Sequence, residues 1–422
     1  MTTDALPPFP QTRPPWSPAV RLEDTARLLA RLGFDGPDAL RGRIDRLAEP
    51  QAQGALMTAL PYLLLLLSDA ASPDRALVAF ERFAERVPDQ IAFYASLADD
   101  PRQIETLITL FAGSQYLTEI LLRNPSYFGR LATRNGVGHI KSHDDFRAEA
   151  EAAIGPPAAE PIEQTLDALR HFQQWELLRI GLGDLTGQLD MATVTMQLSY
   201  LADAVVQACL SLLAQHLDID PSGFVVIAMG KLGGEELNYS SDIDLLMLAD
   251  ADATRFARLG ERLIKALSQA TAAGFLYRVD MRLRPWGTVG PLVNTVDGYL
   301  AYLEQHARLW EKQALLKARP IAGSQQTGGE FLRRSEPLLY ETGDAASVRA
   351  DVHGMKQRTE EQLRQRGRDW GEVKLGEGSI RDVEFVVQYL QLVHGGAHVE
   401  LRTGKTLDAL ERLVEHGLLT RD

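Results

Sequence analysis

The spacing of hydrophobic residues divides the chain into a long helical part and a later part that contains strands. From about residue 21 to 215, apolar residues recur at intervals of three and four, which predicts a series of amphipathic helices. Pro125 and the segment IGPPAAEP at 154–161 predict breaks between helices. The many prolines in residues 1–20 predict an extended, loosely ordered tail.

The sequence allows a specific prediction for two residues of the helical part, Arg179 and Cys209. Arg179 lies on the amphipathic stretch 171–184 (HFQQWELLRIGLGD), so it is most simply exposed to solvent, although it could face a neighbouring site. The single cysteine, Cys209, lies in an apolar helical pattern, and we expect a small buried side chain there. One cysteine can form neither an internal disulfide nor a cysteine metal site within the chain.

A different pattern begins near residue 221. Short apolar runs at 224–229 (FVVIAM) and 243–249 predict two strands, the first of them buried on both faces. A helix is expected at about 254–273. Strict alternation of apolar and polar residues predicts a further strand at 277–284 (YRVDMRLR). Together these elements predict an α/β core.

Helical patterns return after this core. Residues 299–317 predict a helix, and the glycine- and serine-rich passage 322–330 predicts a linker or a surface loop. Helices at about 346–366 and 380–394 follow, and 406–422 keeps helical periodicity to near its end. We therefore predict a mostly helical α+β protein with a tail at 1–20, a helical region at 21–215, a core at 216–325 and a C-terminal helical region at 326–422.

Composition narrows the class of function. The chain has 422 residues, is 45% hydrophobic and carries a formal charge of -13, which argues against binding nucleic acid over a broad surface. The N-terminus lacks the layout of a signal peptide, and the greasiest run, 62–67 (YLLLLL), is too short to span a bilayer. These features predict a cytoplasmic protein without membrane or nucleic-acid partners.

The segment 230–245 (GKLGGEELNYSSDIDL) carries the candidate chemistry. Residues i and i+2 of a strand point the same way, so Asp242 and Asp244 project from one face about 6 to 7 Å apart. Two carboxylates that close repel each other unless a proton or a cation lies between them. A hard divalent ion such as Mg²⁺, with Mn²⁺ as an alternative, is the expected partner.

The alternating strand supplies the remaining charged groups. If 277–284 lies beside 243–249, Asp280 can complete a three-carboxylate metal and catalytic site with Asp242 and Asp244. Arg282 and Arg284 lie on the same face as Asp280 and could then hold phosphate oxygens.

The loop itself predicts contacts to phosphate or nucleotide. Its glycines let the backbone bend and approach a ligand closely, its lysine adds a charge, and its serines add hydroxyl groups before the metal ligands. These candidates are Gly230, Gly233, Gly234, Lys231, Ser240 and Ser241.

The order of these residues resembles the polymerase-beta-like nucleotidyltransferase superfamily. Its pattern is Gly-Ser, about ten residues, Asp-x-Asp, and a third carboxylate on a later strand. Gly230, Asp242, Asp244 and Asp280 follow this order, while Lys231 stands where the superfamily usually has serine.

A longer resemblance points to one family. The segments MGKLGGEELNYSSDIDL, RVDMRLRPWGTVGPLV (278–293), LTEILLRNPSYFGRL (117–131), LEQHARLWEKQALLKARPIAG (303–323) and VKLGEGSIRDVEFVVQYLQLVHGG (373–396) resemble the bifunctional glutamine synthetase adenylyltransferase/adenylyl-removing enzyme. That family carries two catalytic halves in one chain. The long helical region before the core and the sequence of the first segment resemble the N-terminal half of the family, which removes AMP from adenylylated glutamine synthetase.

The resemblance implies a reaction and partners. Phosphate attacks the AMP-tyrosine linkage of glutamine synthetase and yields ADP, with Mg²⁺ held by the three aspartates. The implied partners are glutamine synthetase, the PII signal protein in its uridylylated form, phosphate, and ADP or ATP. The nearest alternative is the ATP-dependent adenylylating half. An enzyme acting on RNA ends and a regulatory module without catalysis are more distant alternatives, since the first needs a basic groove and the second predicts missing carboxylates.

Two further segments resemble family motifs. Lys317, with Glu311 and Lys312, could contact nucleotide or phosphate, or form a salt-bridged helix surface. Ser379 is expected to cap a buried helix in a capping-box arrangement with Asp382. In that buried setting Arg381 and Glu384 would need partners. Glu384 could orient an active-site arginine, but a purely structural ion pair is the favoured interpretation.

Overall fold

The computed structural model describes residues 46–132, 137–155, 161–340, 344–367 and 372–421. The predicted proline-rich tail and the start of the predicted helical region lie outside these ranges. The chain divides into two compact units. One comprises the chain up to Val137 together with Gly181–Gln188, and the other comprises Gly138–Ile180 together with the chain from Leu189 onward. The strands all fall within 224–323, inside the predicted core, while the predicted region boundaries stay a prediction.

The first unit contains six helices among its described residues. They are α1 (Gln53–Asp69), α2 (Pro73–Ala84), α3 (Gln90–Asp99), α4 (Arg102–Gly113), α5 (Gln115–Arg123) and α6 (Tyr127–Leu131). Aromatic rings from four of these helices pack together: the centroid of Phe83 lies 5.7 to 6.0 Å from those of Phe93, Phe111 and Phe128. The predicted break at Pro125 lies between α5 and α6.

Three helices follow, α7 (His143–Ile154), α8 (Ile162–Leu185) and α9 (Met191–His216). Ser142 and Asp145 form a capping box at the start of α7. By length and composition alone α9 could cross a membrane, but 72% of its most apolar stretch is buried within the protein, as in a core helix. Cys209 on α9 is completely buried, as predicted.

Arg179 on α8 is not exposed to solvent, and the simplest prediction for it was wrong. Only 2% of its side chain is exposed, and its Nε donates to Glu176 Oε2 at 2.7 Å. Lys141 Nζ contacts the other oxygen of Glu176 at 2.9 Å, and Gln197 accepts from Arg179 Nη2 at 3.2 Å. These groups form a buried ionic network, because each buried charge there needs a partner.

A five-stranded mixed sheet forms the centre of the second unit. Its strands are β1 (Phe224–Met229), β2 (Ile243–Ala249), β3 (Val279–Asp280), β4 (Val293–Thr295) and β5 (Arg319–Gly323). The order is β3-β2-β1-β5, and β4 also pairs with β2. β1 is antiparallel to both β2 and β5, whereas β2 is parallel to β3 and β4. The predicted boundaries of β1 and β2 are confirmed.

Helices cover both faces of this sheet, which is why every residue of β1 is buried. The helices next in the chain are α10 (Gly230–Gly233), α11 (Ala257–Ser268), α12 (Val296–Gln305), α13 (Leu309–Leu315) and α14 (Gln325–Tyr340). On one face, Ile227 and Leu246 pack with Tyr299 of α12 and Phe331 of α14. On the other face, Gly260 of α11 lies against Met247. The mostly helical α+β fold is therefore confirmed.

Three predictions about this region were wrong in their boundaries. The helix expected at 254–273 ends at Ser268. The helix expected at 299–317 is divided into α12 and α13 by residues 306–308. The passage 322–330 is not a linker, because it contains the end of β5, paired with β1, and the start of α14.

The strand expected at 277–284 has only two residues, Val279 and Asp280. The carboxylate of Asp280 accepts the backbone N–H of Arg282 at 2.8 Å, and Pro285 follows three residues later. A side chain that takes a backbone donor competes with strand pairing, and proline offers no donor. Alternation in the sequence therefore continues into a turn.

The C-terminal region consists of α15 (Ala345–Gln365), α16 (Ile380–His394) and α17 (Thr406–Glu415), close to the predicted positions. The prediction that α16 is buried was wrong, since Ile380, Val383 and Val386 are 60%, 48% and 49% exposed. Ser379 is the N-cap residue, but its hydroxyl makes no capping bond. The Asp382 carboxylate instead accepts from the backbone N–H of Gly378 and from Lys356.

Candidate active site

A polar pocket of about 540 Å³ lies where β2 and β3 begin to pair, and α16 forms its opposite wall. Its lining includes most of the predicted site residues: Gly230, Lys231, Ser240, Ser241, Asp242, Asp244, Asp280, Arg282 and Lys317. Gly233, Gly234 and Arg284 are not part of this lining. The pocket therefore joins the predicted loop and both predicted strands in one place.

Strand pairing brings the aspartates together. β2 and β3 run parallel, with Asp244 directly opposite Asp280, and Asp242 lies two residues before Asp244. Asp244 also lies opposite Met229, the last residue of β1, so it is held in the centre of the sheet. The predicted neighbourhood of 277–284 and 243–249 is thus present in the two residues that matter for the carboxylates.

Arginines pair with two of the three carboxylates. Arg278 Nε donates to Asp242 Oδ1 at 2.6 Å, and Arg282 Nε donates to Asp280 Oδ2 at 2.8 Å. Both arginine side chains are more than half exposed, at 56% and 77%, so they can turn away without loss of packing. The three carboxylates provide the hard oxygen donors that Mg²⁺ prefers, and this donor set fits such an ion.

The pKa of Asp244 records the crowding of negative charge. Burial, followed by the charges of Asp280 and Asp242, raises the pKa of Asp244 to about 6. The pKa of Asp280 is held below its usual range by the hydrogen bond from Arg282. A cation beside Asp244 would reduce the repulsion among the three carboxylates. This repulsion follows from their positions in the structure, and not only from their spacing in the sequence.

This shift predicts how stability depends on pH in metal-free buffer. Because the folded-state pKa of Asp244 is raised, its favourable contribution is complete below about pH 4 and is lost as the pH rises through about 6. The Asp244→Asn variant should therefore match the wild type at about pH 4 and exceed its free energy of unfolding by about 2 kcal/mol above pH 7, after allowance for partial exposure. Urea denaturation at both pH values measures this.

The Asp280→Asn variant serves as the contrasting control. The pKa of the Asp280 carboxylate is lowered in the folded protein, so replacing Asp280 should reduce the free energy of unfolding near neutral pH. An Asp244→Asn variant that is no more stable than wild type above pH 7 would show that the carboxylate is not crowded in solution.

Gly230 is required by geometry at the end of β1. Its φ is +55°, a conformation that side chains disfavour. A Cβ atom there would lie 2.4 Å from Asp244 Oδ2. The glycine therefore leaves space for the carboxylate, in addition to the close approach to a ligand that we predicted.

Gly233 and Gly234 have a different role from the predicted one. A Cβ on Gly233 would lie 1.8 Å from the carbonyl oxygen of Lys317, and one on Gly234 would lie 2.6 Å from that of Gly404. These glycines allow backbone segments to pack closely. The geometry gives no support to a direct contact between them and phosphate.

Lys231 and Lys374 face the pocket as a pair of cations. The pKa of Lys231 is lowered by burial and then by the charge of Lys374. The pocket lining holds six cationic side chains (Lys231, Arg278, Arg282, Lys317, Lys374 and Arg381) against four carboxylates (Asp242, Asp244, Asp280 and Glu384). A positive excess in a chain of net charge -13 indicates a site for anions.

Lys317 connects the pocket with the C-terminal helices. Its Nζ lies 2.7 Å from Glu236 Oε2, 3.0 Å from Thr406 Oγ1 and 3.5 Å from Glu384 Oε1. Glu236 also accepts the backbone N–H of Thr406 at 2.6 Å. Lys317 therefore helps to join the segment 230–245 to α17. Glu384 also pairs with Lys317, in agreement with the structural ion pair predicted for Glu384.

Arg284 and Glu311 are held by other contacts. The Arg284 guanidinium donates to the carbonyls of Met281, Thr288 and Gly290. This arrangement holds the loop after β3 and leaves the predicted contact to phosphate without support. Glu311 accepts from the Tyr302 hydroxyl at 2.6 Å and from the backbone N–H of Arg308, so its carboxylate organises the start of α13.

Sequence reasoning missed four residues of the pocket as site residues: Arg278, Lys374, Arg381 and Gln388. Arg278 was visible on the alternating strand beside Asp280. The other three lie in the segment 373–396, whose resemblance to the family was recognised without roles for these side chains. Their contribution depends on the packing of α16 against the core, which local patterns do not show.

Comparison with known proteins gives this pocket a family. The model of the family described as glutamate-ammonia ligase adenylyltransferase matches residues 104–334, more than half of the chain, and this range contains the three aspartates. The chain belongs to this family. Its members act as nucleotidyltransferases on glutamine synthetase, which is another name for glutamate-ammonia ligase.

Curated relatives extend the similarity over nearly the whole chain. The chain is 36% identical over 420 residues to a bifunctional glutamine synthetase adenylyltransferase/adenylyl-removing enzyme of Streptomyces coelicolor, which covers 95% of this chain and 40% of the relative. It is 32% identical over 405 residues to the enzyme of the same name from Nitrosococcus oceani, covering 89% and 42%. The chain spans about two fifths of the length of these relatives.

A second family model matches the C-terminal region. The model described as GlnD PII-uridylyltransferase matches residues 353–422, which include most of α15 and all of α16 and α17. Glu384 on α16 contacts Lys317, and Arg381 and Gln388 on the same helix line the pocket. The segment that matches the uridylyltransferase family model therefore forms part of the pocket wall.

Proposed function

We propose that this chain removes AMP from adenylylated glutamine synthetase by phosphorolysis, which yields ADP and unmodified synthetase. The observation that carries the proposal is the pocket in which three aspartates lie beside an excess of cationic side chains. For this reaction the site has to hold two anions next to each other, the phosphodiester and the attacking phosphate. The resemblance of the sequence to the N-terminal half of the family, stated above as an expectation, favours this direction.

The reaction balances without a further reactant. An oxygen of hydrogen phosphate forms a bond to the phosphorus of the AMP-tyrosine linkage, and the bond from that phosphorus to the tyrosine oxygen breaks. The proton of hydrogen phosphate ends on the phenolate, so ADP and tyrosine are the products. Since tyrosine has a pKa near 10, it leaves more readily than an aliphatic alcohol, and no strong general acid is required.

The chain's own residues position these groups. Lys231 and Lys374 are placed to hold the attacking phosphate, because burial and the charge of Lys374 raise the cost of keeping Lys231 charged without an anion. Arg282, which is 77% exposed, can release Asp280 and turn towards a phosphate oxygen. Ser240 and Ser241 add hydroxyl groups at the same wall.

Asp242, Asp244 and Asp280 would hold the divalent ion, Mg²⁺ or Mn²⁺. When bound there, such an ion supplies positive charge that stabilises the phosphoryl group in transfer. The proposal includes two protein partners, glutamine synthetase as the substrate and the uridylylated PII protein as the regulator. It also includes a cytoplasmic location.

The direction of reaction can be tested with one protein substrate in two forms. The chain is incubated with adenylylated synthetase, Mg²⁺ and phosphate, and in parallel with unmodified synthetase, Mg²⁺ and ATP, and the intact mass of the synthetase is measured. We expect loss of AMP in the first reaction and no change in the second. A gain of AMP from ATP would assign the adenylylating half instead.

Replacement of Lys374 tests the predicted phosphate contact. In the Lys374→Met variant we expect the KM for phosphate to rise about 10-fold, because a charge-assisted contact to the attacking anion is lost. The KM for adenylylated synthetase should stay within about twofold. Lys265→Met, an exposed lysine on α11 outside the pocket, is the matched control. An unchanged KM for phosphate in Lys374→Met would remove Lys374 from the phosphate site.

A further inference from the structure

A group of metal-binding side chains lies beside the end of α17, apart from the three aspartates. His398 and Glu400 belong to the short turn that leads towards α17, and His416 directly follows the last residue of that helix. One ligand atom from each of the three side chains lies within 4.8 Å of the other two. None of them lines the pocket that holds the aspartates, so this cluster is separate from the proposed chemistry.

The packing of α16 and α17 fixes the backbone that carries these side chains. Leu401, in the turn, is completely buried and packs in one apolar cluster with Leu413 of α17. Gln391 of α16 donates to the carbonyl oxygen of Leu401 at 2.7 Å, and Arg412 Nη1 donates to that of Glu400 at 2.5 Å. The turn is therefore attached to both helices before any cation binds, which lowers the cost of assembling a metal site.

The ring of His416 is oriented as a metal ligand requires. Its Nδ1 lies 2.8 Å from the carbonyl oxygen of Arg412. Because a carbonyl oxygen can only accept, Nδ1 is the donor, and Nε2 keeps a free lone pair. Metal-bound histidines almost always donate their other ring N–H in this way. Gly417, with a φ of +68°, ends the helix at this point and fixes the position of His416.

The other two side chains can close around an ion with small movements. The rings of His398 and His416 have centroids 5.1 Å apart. Arg412 binds the main-chain carbonyl of Glu400, and within the described ranges no cation is paired with the Glu400 carboxylate. Ligand atoms about 2.1 Å from a tetrahedral ion lie about 3.4 Å from one another. Glu400 and His416 are exposed, so rotation of their side chains can supply the difference.

This ligand set selects a different ion from the one that the aspartates prefer. Imidazole nitrogen suits Zn²⁺ and similar first-row transition metals, whereas Mg²⁺ prefers oxygen ligands only. Two histidines and one glutamate, with a fourth position open, are a known ligand set of Zn²⁺.

We propose that His398, Glu400 and His416 bind one Zn²⁺ ion, with water in the fourth position. The ion joins the turn before α17 to the end of the same helix and thereby stabilises the packing of α17 on α16. The inference does not depend on the direction or the chemistry of the proposed reaction.

The test is a titration of the full chain with Co²⁺, which replaces Zn²⁺ and has a visible absorption spectrum. The chain is first freed of metal with a chelator and then kept at about pH 7.5 in saturating Mg²⁺, which occupies the aspartates. We expect one equivalent of Co²⁺ with the intense absorption of a four-coordinate site, displaced by Zn²⁺ and not by more Mg²⁺. Zn²⁺ should also raise the midpoint of thermal unfolding of the wild type and not that of His416→Gln.

Variants locate the ion. His416→Gln and Glu400→Gln should each weaken Co²⁺ binding at least about 10-fold, because each removes a ligand. The matched controls are His216→Gln, an exposed histidine in the last turn of α9, and Glu415→Gln, an exposed glutamate at the end of α17. Both should bind Co²⁺ within about twofold of the wild type, as should Asp244→Asn. Circular dichroism of each metal-free variant shows that it is folded.

Three results would overturn the inference. The first is a wild type that binds no Co²⁺ in saturating Mg²⁺. The second is a loss of Co²⁺ binding in Asp244→Asn, which would place the ion at the aspartates. The third is equal weakening in His216→Gln and His416→Gln, which would indicate non-specific binding to surface histidines. Each of these results would leave the proposed function intact.

Discussion

Asp244→Asn is expected to lower the rate of the proposed AMP removal by at least about 1,000-fold, because the central carboxylate of the proposed metal site is lost. Asp244 lies opposite Asp280, and burial together with the charges of Asp280 and Asp242 raises its pKa. The same change should stabilise the metal-free fold at neutral pH, so lost activity will not be due to unfolding. Single-turnover ADP release at saturating Mg²⁺ measures the effect.

Asp252→Asn provides the matched control for this substitution. Asp252 is exposed on the loop before α11, where its carboxylate accepts from Thr254, and it has no contact with the pocket. Its rate should remain within about twofold of wild type. Turnover by Asp244→Asn within tenfold of wild type would show that this carboxylate does not hold the catalytic ion.

Gly233→Ala is expected to destabilise the protein by more than about 3 kcal/mol, since the new Cβ would overlap a backbone atom that cannot move independently. It would lie 1.8 Å from the carbonyl oxygen of Lys317 and 2.7 Å from that of Ala228. The expected result is a large fall in the denaturation midpoint, measured by urea titration followed by circular dichroism.

Gly329→Ala is the control, because a Cβ at Gly329 on α14 would meet no atom within 4 Å. Replacing glycine by alanine in a helix without steric conflict should stabilise the protein by up to about 1 kcal/mol. Equal stabilities of the two variants would contradict the close backbone contact between α10 and the segment before β5.

The elements that the sequence predicted best are those whose pattern is set locally. β1 is a continuous apolar run because helices cover both faces of the sheet, and β2 follows the same rule. Asp242 and Asp244 could be placed because Asp244 is the second residue of β2 and Asp242 directly precedes the strand. The identity of the third carboxylate, Asp280, followed from alternation and from the family resemblance.

Other features depend on contacts between distant residues and were beyond local patterns. Arg179 is buried because Glu176 and Gln197 accept hydrogen bonds from it, while Lys141 pairs with the other oxygen of Glu176. Lys141 and Gln197 are 38 and 18 residues away from Arg179 along the chain. The short length of β3 depends on the Asp280 side chain bonding to Arg282, which alternation cannot show. Hydrophobic residues on α16 predicted burial, yet several are exposed.

The C-terminal helices were the largest gap in the predicted site. Glu236 accepts from Lys317 and from the backbone N–H of Thr406 on α17, and Lys317 also pairs with Glu384 on α16. Lys374, Arg381 and Gln388 line the pocket on the same side as Glu384. The sequence indicated the three aspartates, whereas the approach of Lys374, Arg381 and Gln388 to them became visible only with tertiary packing.

Phosphate labelled with ¹⁸O tests the central claim most directly. The chain is incubated with adenylylated synthetase, Mg²⁺ and labelled phosphate, and the released nucleotide is analysed by mass spectrometry with fragmentation. Phosphorolysis predicts ADP with four labelled oxygens, three on the β-phosphorus and one bridging to the α-phosphorus, and with no label in the other oxygens of its adenosine monophosphate part. Release of unlabelled AMP, or of no nucleotide at all, would contradict the account.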